Sequence, residues 1–183
     1  MRSERRDSAA RLRGAEQDKD KASADRTPFL DGETDMPEVL GIGLDLVEVA
    51  RIERAVARWG DSFLSRVFTP REIADCRMDR LTRPGDPAPV GRDGFRSEAL
   101  AARFAAKEAV FKALGRGRPE LGWHDAEVVS DAWGKPQVVL SGRALSLAAE
   151  LGVVRVLVSL THLRGLAGAQ VVASGRSAVR QAE

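Results

Sequence analysis

The segment from Ser97 to Leu114 constrains the fold of this chain more than any other. It reads as a long helix opened by Ser97 and stopped by Gly115 and Gly117. Leu100, Phe104, Phe111 and Leu114 form an apolar stripe along it, and Lys107 falls within that stripe rather than opposite it. Glu108 and Lys112 continue the i, i+4 row that starts at Phe104, which places them at the edge of the buried face. Alanine fills most of the other positions, so the helix is expected to pack on several sides. Charges held at such an edge need partners: a metal, a phosphate or another subunit. Glu108 and Lys112 also stand in the acid-first order of an ordinary solvent-exposed helical ion pair, and spacing alone does not separate the two readings.

The rest of the chain gives that helix something to pack on. With 183 residues there is room for one domain with a substantial core. Residues 1–37 alternate basic and acidic side chains with almost no large apolar ones before Phe29, and are expected to be a disordered extension. Val39 to Asp45 is apolar and glycine-punctuated, the pattern of a buried strand ending on a carboxylate. Val49, Ile52, Val56 and Trp59 mark one face of an amphipathic helix that Gly60 ends. Thr69-Pro70-Arg71-Glu72 carries a capping box with proline at the first helical position, and the helix it opens is expected to fade near Arg80. Residues 81–94 are rich in Gly and Pro and read as a mobile loop.

After the long helix the pattern changes to strands. Ala126–Ser130 and Gln137–Leu140 flank a turn at residues 131–136, and a short helix over Arg143–Leu151 ends at Gly152. Val153–Thr161 and Ala167–Ala173 form a hairpin across Leu163–Gly165, and the tail from Ser174 onward is expected to fray. Helices in the first half and hairpins in the second predict an α+β fold with an antiparallel sheet, its folded domain spanning 38–174 and its tail 175–183.

Composition excludes several classes. No stretch approaches the length needed to span a bilayer, and the charged N-terminal segment lacks the apolar region of a signal peptide. The single cysteine, Cys76, cannot form an internal disulfide and fits a reducing, cytoplasmic compartment. With no histidine nearby it is read as a small packing residue and not as a nucleophile. A net charge of +2 is too balanced for a nucleic-acid binder, which concentrates a large positive excess.

Two further motifs complete the chemistry-bearing set: Gly43-x-Asp45 and Ser159-x-x-His162. Asp45 could equally cap the helix that follows, and His162 could be a polar strand end. In combination the motifs are informative. Gly41-Ile42-Gly43-Leu44-Asp45 with Arg51-Ile52, then Arg103-Phe104-Ala105-Ala106-Lys107-Glu108-Ala109-x-x-Lys112-Ala113-Leu114, resembles the holo-(acyl-carrier-protein) synthases, the short class of the 4'-phosphopantetheinyl transferase superfamily. Phe68-Thr69-x-x-Glu72, Gly134-Lys135-Pro136 and Val158-Ser159-Leu160-Thr161-His162 agree in order and spacing, so the resemblance runs from about residue 39 to 173.

The resemblance implies a 4'-phosphopantetheinyl transferase-like fold and transfer of phosphopantetheine from coenzyme A to a serine of an apo acyl carrier protein, with release of adenosine 3',5'-bisphosphate. Asp45 and Glu108 match the carboxylates that hold Mg²⁺, a hard cation that takes one or two carboxylates and completes its shell with phosphate oxygens and water. Lys112 matches a lysine placed to offset charge on the departing phosphate. Glu108, or a water it orients, is the implied base for the carrier serine. Arg103, Lys107, His162 and the Gly134-Lys135-Pro136 turn are implied to hold the phosphates and adenine of coenzyme A. Arg51, Arg54 and Arg58, at helical spacing, are implied to meet an acidic helix of the carrier by electrostatic steering. A single copy of the motif set implies a homotrimer whose active sites are completed across subunit interfaces. The chain departs from the family pattern in its N-terminal extension, its long loop at 81–94, and Trp133, which stands in the Gly-Lys-Pro turn where a small polar residue is usual.

Overall fold

A computed structural model describes residues 37–77 and 94–176 of the chain. The expectations for the N-terminal extension, for most of the 81–94 loop and for the last residues of the tail lie outside the described residues.

The fold is α+β, as the pattern predicts. Its main sheet has three antiparallel strands in the order β1 (Glu38–Glu48), β5 (Leu166–Gly175), β4 (Val153–Leu163). A second sheet pairs β2 (Ala126–Ser130) with β3 (Pro136–Leu140). The helices are α1 (Val49–Trp59), α2 (Asp61–Val67), α3 (Pro70–Cys76), α4 (Ser97–Ala113) and α5 (Gly142–Glu150). Strands β4 and β5 are joined through the two residues Arg164 and Gly165, with Gly165 at φ 81°, a left-handed conformation that costs glycine nothing. The Gly165 carbonyl accepts the Val49 amide at 3.0 Å, which ties this turn to the start of α1.

Helix α4 is the axis of the molecule. It lies across the main sheet on the face formed by Gly41, Gly43, Asp45 and Val47 of β1 and by Ala167, Ala169, Val171 and Ala173 of β5. A methyl group on Gly41 would overlap the Ala113 carbonyl, and one on Gly43 the Ala109 carbonyl. Glycine at these two positions is therefore what lets the helix backbone rest on the strand. Leu100, Phe104, Phe111 and every alanine of α4 after Ala99 are buried, so the helix is enclosed on most sides, as its alanine content predicts. Its C-terminus closes with Gly115 at φ 66°. There Arg116 donates to the Phe111 carbonyl and Gly115 to that of Lys112, satisfying two helix-end acceptors.

The capping box forms as expected: Thr69 N–H donates to Glu72 Oε2 at 2.8 Å, and Thr69 Oγ1 accepts the Glu72 amide. Other local expectations are revised. Helix α3 ends at Cys76, short of Arg80, because Arg77 turns into a β-bridge with Phe95. Arg96, not Ser97, occupies the N-cap position of α4. Trp59 is 54% exposed rather than part of the buried stripe. β1 does not end on Asp45 but runs to Glu48, because its pairing with β5 continues to Leu166. Nor is β1 buried on both faces: Ile42, Leu44 and Leu46 stand exposed on the side away from α4. β5 continues through Ser174 and Gly175, where the sequence suggested fraying, because both residues pair with the neighbouring strands.

Gly43→Ala should push α4 off the sheet and destabilise the protein by about 3 kcal/mol, the cost of overpacking against rigid backbone. Urea denaturation of the variant beside the native chain measures this. An unchanged midpoint would show that the strand and helix can separate at no cost.

Candidate active site

The close seating of α4 on β1 decides which side chains meet. Asp45 lies on the α4-facing side of β1, and Lys112 Nζ donates to Asp45 Oδ1 at 2.8 Å and to the Leu44 carbonyl at 2.9 Å. Asp45 does not cap α1, since Glu48 occupies that position. Glu108 stands one turn earlier on α4, half-buried. Burial pushes its carboxyl pKa up and the negative charge of Asp45 pushes it further, while Lys112, Arg51 and Arg118 pull it down. Glu108 and Lys112 thus form no isolated surface ion pair. They face a strand carboxylate.

A strand carboxylate and a helix carboxylate within electrostatic reach of each other, with an ammonium donating to the strand one, form a donor set suited to a hard divalent cation. Among the described residues no group of three or more His, Cys, Asp or Glu side chains is gathered as a complete metal cage. An ion here would take Asp45 and Glu108 from the protein and fill its remaining positions with water and phosphate oxygens, as Mg²⁺ does.

The other candidate residues divide sharply. Lys107, expected to hold a coenzyme A phosphate, is fully buried. Its Nζ lies 2.8 Å from Glu72 Oε2 and donates to the Trp123 and Ala126 carbonyls at 2.9 and 2.6 Å. Every direction open to the ammonium is filled from within the fold. Burial lowers its pKa and Glu72 partly restores it. Glu72 Oε1 also accepts the Val128 amide at 2.8 Å, so one carboxylate joins α3, α4 and β2. Breaking such a buried pair from one side costs about 3–5 kcal/mol. Arg103 is likewise interior, 6% exposed, with its guanidinium directed at Asp75 (3.8 Å) and the Ala99 carbonyl. The apolar phase of the helix turns both of these cations inward, where partners within the fold meet them. Cys76 is buried too, and burial pushes its thiol up to about 11, consistent with a packing role.

Gly134, Lys135 and Pro136 lie in and beside the β2–β3 turn. Asp131 Oδ1 accepts the Trp133 and Lys135 amides at 2.8 and 2.9 Å, and Gly134 takes φ 80°. Trp133 projects from this turn 94% exposed. His162 is exposed near the end of β4, where it pairs with Ala167, as Val47 does from the other side. It therefore shares the α4-facing side with Asp45, two strands across and one pleat along, roughly 12 Å away by strand spacing. At that spacing His162 does not touch Asp45 within one chain.

Arg51, Arg54 and Arg58 line a groove of about 380 Å³ with Trp59, Phe63 and Phe104. Arg51 lies over the Phe104 ring at 5.6 Å and Arg58 over Trp59 at 5.1 Å. The basic row is thus the rim of an aromatic floor, and Arg51 reaches toward Glu108 electrostatically from that rim. Arg118 went unnoticed in the sequence. It lies over Trp123 at 5.2 Å and acts on Glu108 from the loop after α4, a position that no periodicity or spacing marks.

Comparison with known proteins identifies the family of this α+β chain. The model of the 4'-phosphopantetheinyl transferase superfamily matches residues 41–171. The chain is 49% identical over 142 residues to the holo-[acyl-carrier-protein] synthase of Chloroflexus aurantiacus, covering 72% of this chain and 95% of that protein. Among solved structures, holo-ACP-synthase from Plasmodium yoelii superposes with a TM-score of 0.62 at 30% identity, covering 78% of this chain and 99% of that one. The Helicobacter pylori holo-[acyl-carrier-protein] synthase in complex with coenzyme A gives 0.58 at 31% identity, over 72% and 98%. The chain belongs to the 4'-phosphopantetheinyl transferase superfamily, within its holo-[acyl-carrier-protein] synthase family.

The raised Glu108 pKa has a signed consequence. A carboxyl held up in the folded state binds its proton more tightly there than in the unfolded chain. Its stabilising contribution is full in acid and is lost as pH rises through the raised value. Glu108→Gln should therefore melt at or above the native temperature at neutral pH, and the advantage should vanish below the ordinary carboxylate range. Circular-dichroism melts across pH test this, and equal destabilisation at both ends would contradict it.

Proposed function

We propose that this protein transfers the 4'-phosphopantetheine group of coenzyme A to a serine of an apo acyl carrier protein in a Mg²⁺-dependent reaction. The product alongside the holo carrier is adenosine 3',5'-bisphosphate. The observation that carries the reading is the Asp45–Glu108 pair with Lys112 donating to Asp45 at 2.8 Å. Bound Mg²⁺ would neutralise charge on the coenzyme A pyrophosphate. Asp45 and Glu108 would hold it. Lys112, on a half-exposed side chain, is free to turn toward the phosphate that departs and to offset its charge. Glu108, its pKa raised, is suited to take the serine proton directly or through a water it orients. Gly134, Lys135, Pro136 and His162 are left for the phosphates and adenine of coenzyme A, since Lys107 and Arg103 are committed inside.

The arginine-rimmed aromatic groove suits a carrier helix that presents acidic side chains around an apolar one. The strand spacing between Asp45 and His162 within one chain suits a site shared between subunits. The open face of the main sheet, with Ile42, Leu44, Leu46 and Leu157 each more than 45% exposed, suits a homotrimer that buries it. No helix of the described residues is long and apolar enough to cross a membrane. A cytoplasmic role in lipid metabolism, serving a carrier of fatty-acid or polyketide assembly, completes the reading.

Incubating the protein with coenzyme A, Mg²⁺ and apo carrier should add one phosphopantetheine mass to the carrier by intact-mass spectrometry. Asp45→Ala and Glu108→Ala should each abolish the gain while remaining folded. Failure with several apo carriers, or activity retained in either variant, would sink the assignment. Leu44→Glu should shift the sedimentation coefficient from a trimer to a monomer, and a native chain that sediments as a monomer would refute the shared site.

A further inference from the structure

Lys112 is asked to be in two places. In the free protein its ammonium sits on Asp45 Oδ1 and on the Leu44 carbonyl, and in the transfer reaction it must reach a phosphate. Its backbone is tied into the turn that closes α4, where the Lys112 carbonyl accepts the Gly115 amide. Only the side chain can swing. Half of that side chain is exposed, whereas Asp45 is only 18% exposed and is fixed on the strand. Lys107, by contrast, has every donor position filled and stays where it is.

The charges make the swing conditional. Asp45 holds the Lys112 ammonium at 2.8 Å, and Glu108 stands one helical turn before Lys112 on the same helix. An ammonium beside them supplies the positive charge that two close carboxylates require. A divalent cation seated on the same oxygens removes that need and repels the ammonium at close range. The released side chain then has one nearby anion to turn to, a phosphate of the bound substrate.

We infer that Lys112 is an internal counter-ion that competes with the metal for Asp45 and is passed to the phosphate when metal and coenzyme A bind together. The two ligands thereby reinforce each other's binding through one side chain. This inference rests on the transferase reading of the site and adds to it an order: metal alone binds poorly, and metal with coenzyme A binds well.

Mn²⁺ binding to the full chain, followed by electron paramagnetic resonance of the free ion with and without coenzyme A, tests it. Lys112→Gln should bind Mn²⁺ alone about tenfold more tightly than the native protein, because the competing charge is gone. The gain in Mn²⁺ affinity on adding coenzyme A should shrink by a similar factor, as reciprocity of coupling requires. Lys112→Arg keeps a competing cation and should stay close to the native protein when Mn²⁺ is alone. If Lys112→Gln binds Mn²⁺ no more tightly, or keeps the full effect of coenzyme A, the counter-ion role is overturned while the metal site stands. If the native protein and Asp45→Asn bind Mn²⁺ equally poorly under both conditions, the metal site itself fails and this inference falls with it.

Discussion

Everything at the candidate active site depends on the contact between two glycines of β1 and the backbone of α4. Gly41 and Gly43 have no room for even a methyl group, because the Ala113 and Ala109 carbonyls occupy that space. Glycine in a strand interior weakens the strand, and here the loss is offset by a helix that packs directly on the pleat. The alanines that face this contact on α4 and β5 serve the same end from the other side. Because the helix sits so low on the sheet, a glutamate from one and an aspartate from the other come within electrostatic reach, with a lysine closing the gap.

Two lysines on this helix show how burial divides one residue type between structure and chemistry. Lys107 is turned inward, where Glu72 and two backbone carbonyls satisfy it completely. The Thr69–Glu72 capping box gains a second purpose from that pair. Glu72 starts α3, accepts the Val128 amide of β2 and neutralises a cation of α4, so three elements share one carboxylate. Such a network is costly to open from either side. It also sets the rotational phase of α4, and with it the direction in which Glu108 points. Lys112, little more than a turn further on, has one carboxylate, one carbonyl and solvent around it. Its contacts are exchangeable because water can replace them.

The surfaces around the site are equally distinct in kind. On one side an aromatic groove carries a rim of arginines, polar enough to remain hydrated and apolar enough to anchor a partner's side chain. On the far face of the main sheet Ile42, Leu44 and Leu46 of β1 and Leu157 of β4 stand exposed, with the polar Ser159 and Thr161 of β4 beside them. One surface is thus basic and aromatic and the other largely aliphatic, while the carboxylate pair sits where α4 meets β1.

Much of the secondary structure was legible because its causes are local: a threonine and glutamate three apart, a glycine past a helix end, alternation along a hairpin. The catalytic candidates were legible as a motif, since Glu108 and Lys112 share a helical row and Asp45 follows a glycine pair. The sequence also determined that α4 would be enclosed, because alanine and a lysine inside an apolar stripe leave it no free face. It did not disclose which groups meet Lys107 and Arg103 in the interior, because their partners Glu72 and Asp75 belong to another helix. Nor did it disclose that β1 pairs with β5 from the far end of the domain, which leaves an aliphatic face of β1 open. Those outcomes belong to the tertiary structure. Propensity and capping act within a few residues, whereas the partner of a buried charge and the neighbour of a strand are chosen by whichever distant surfaces fit together with no polar group stranded.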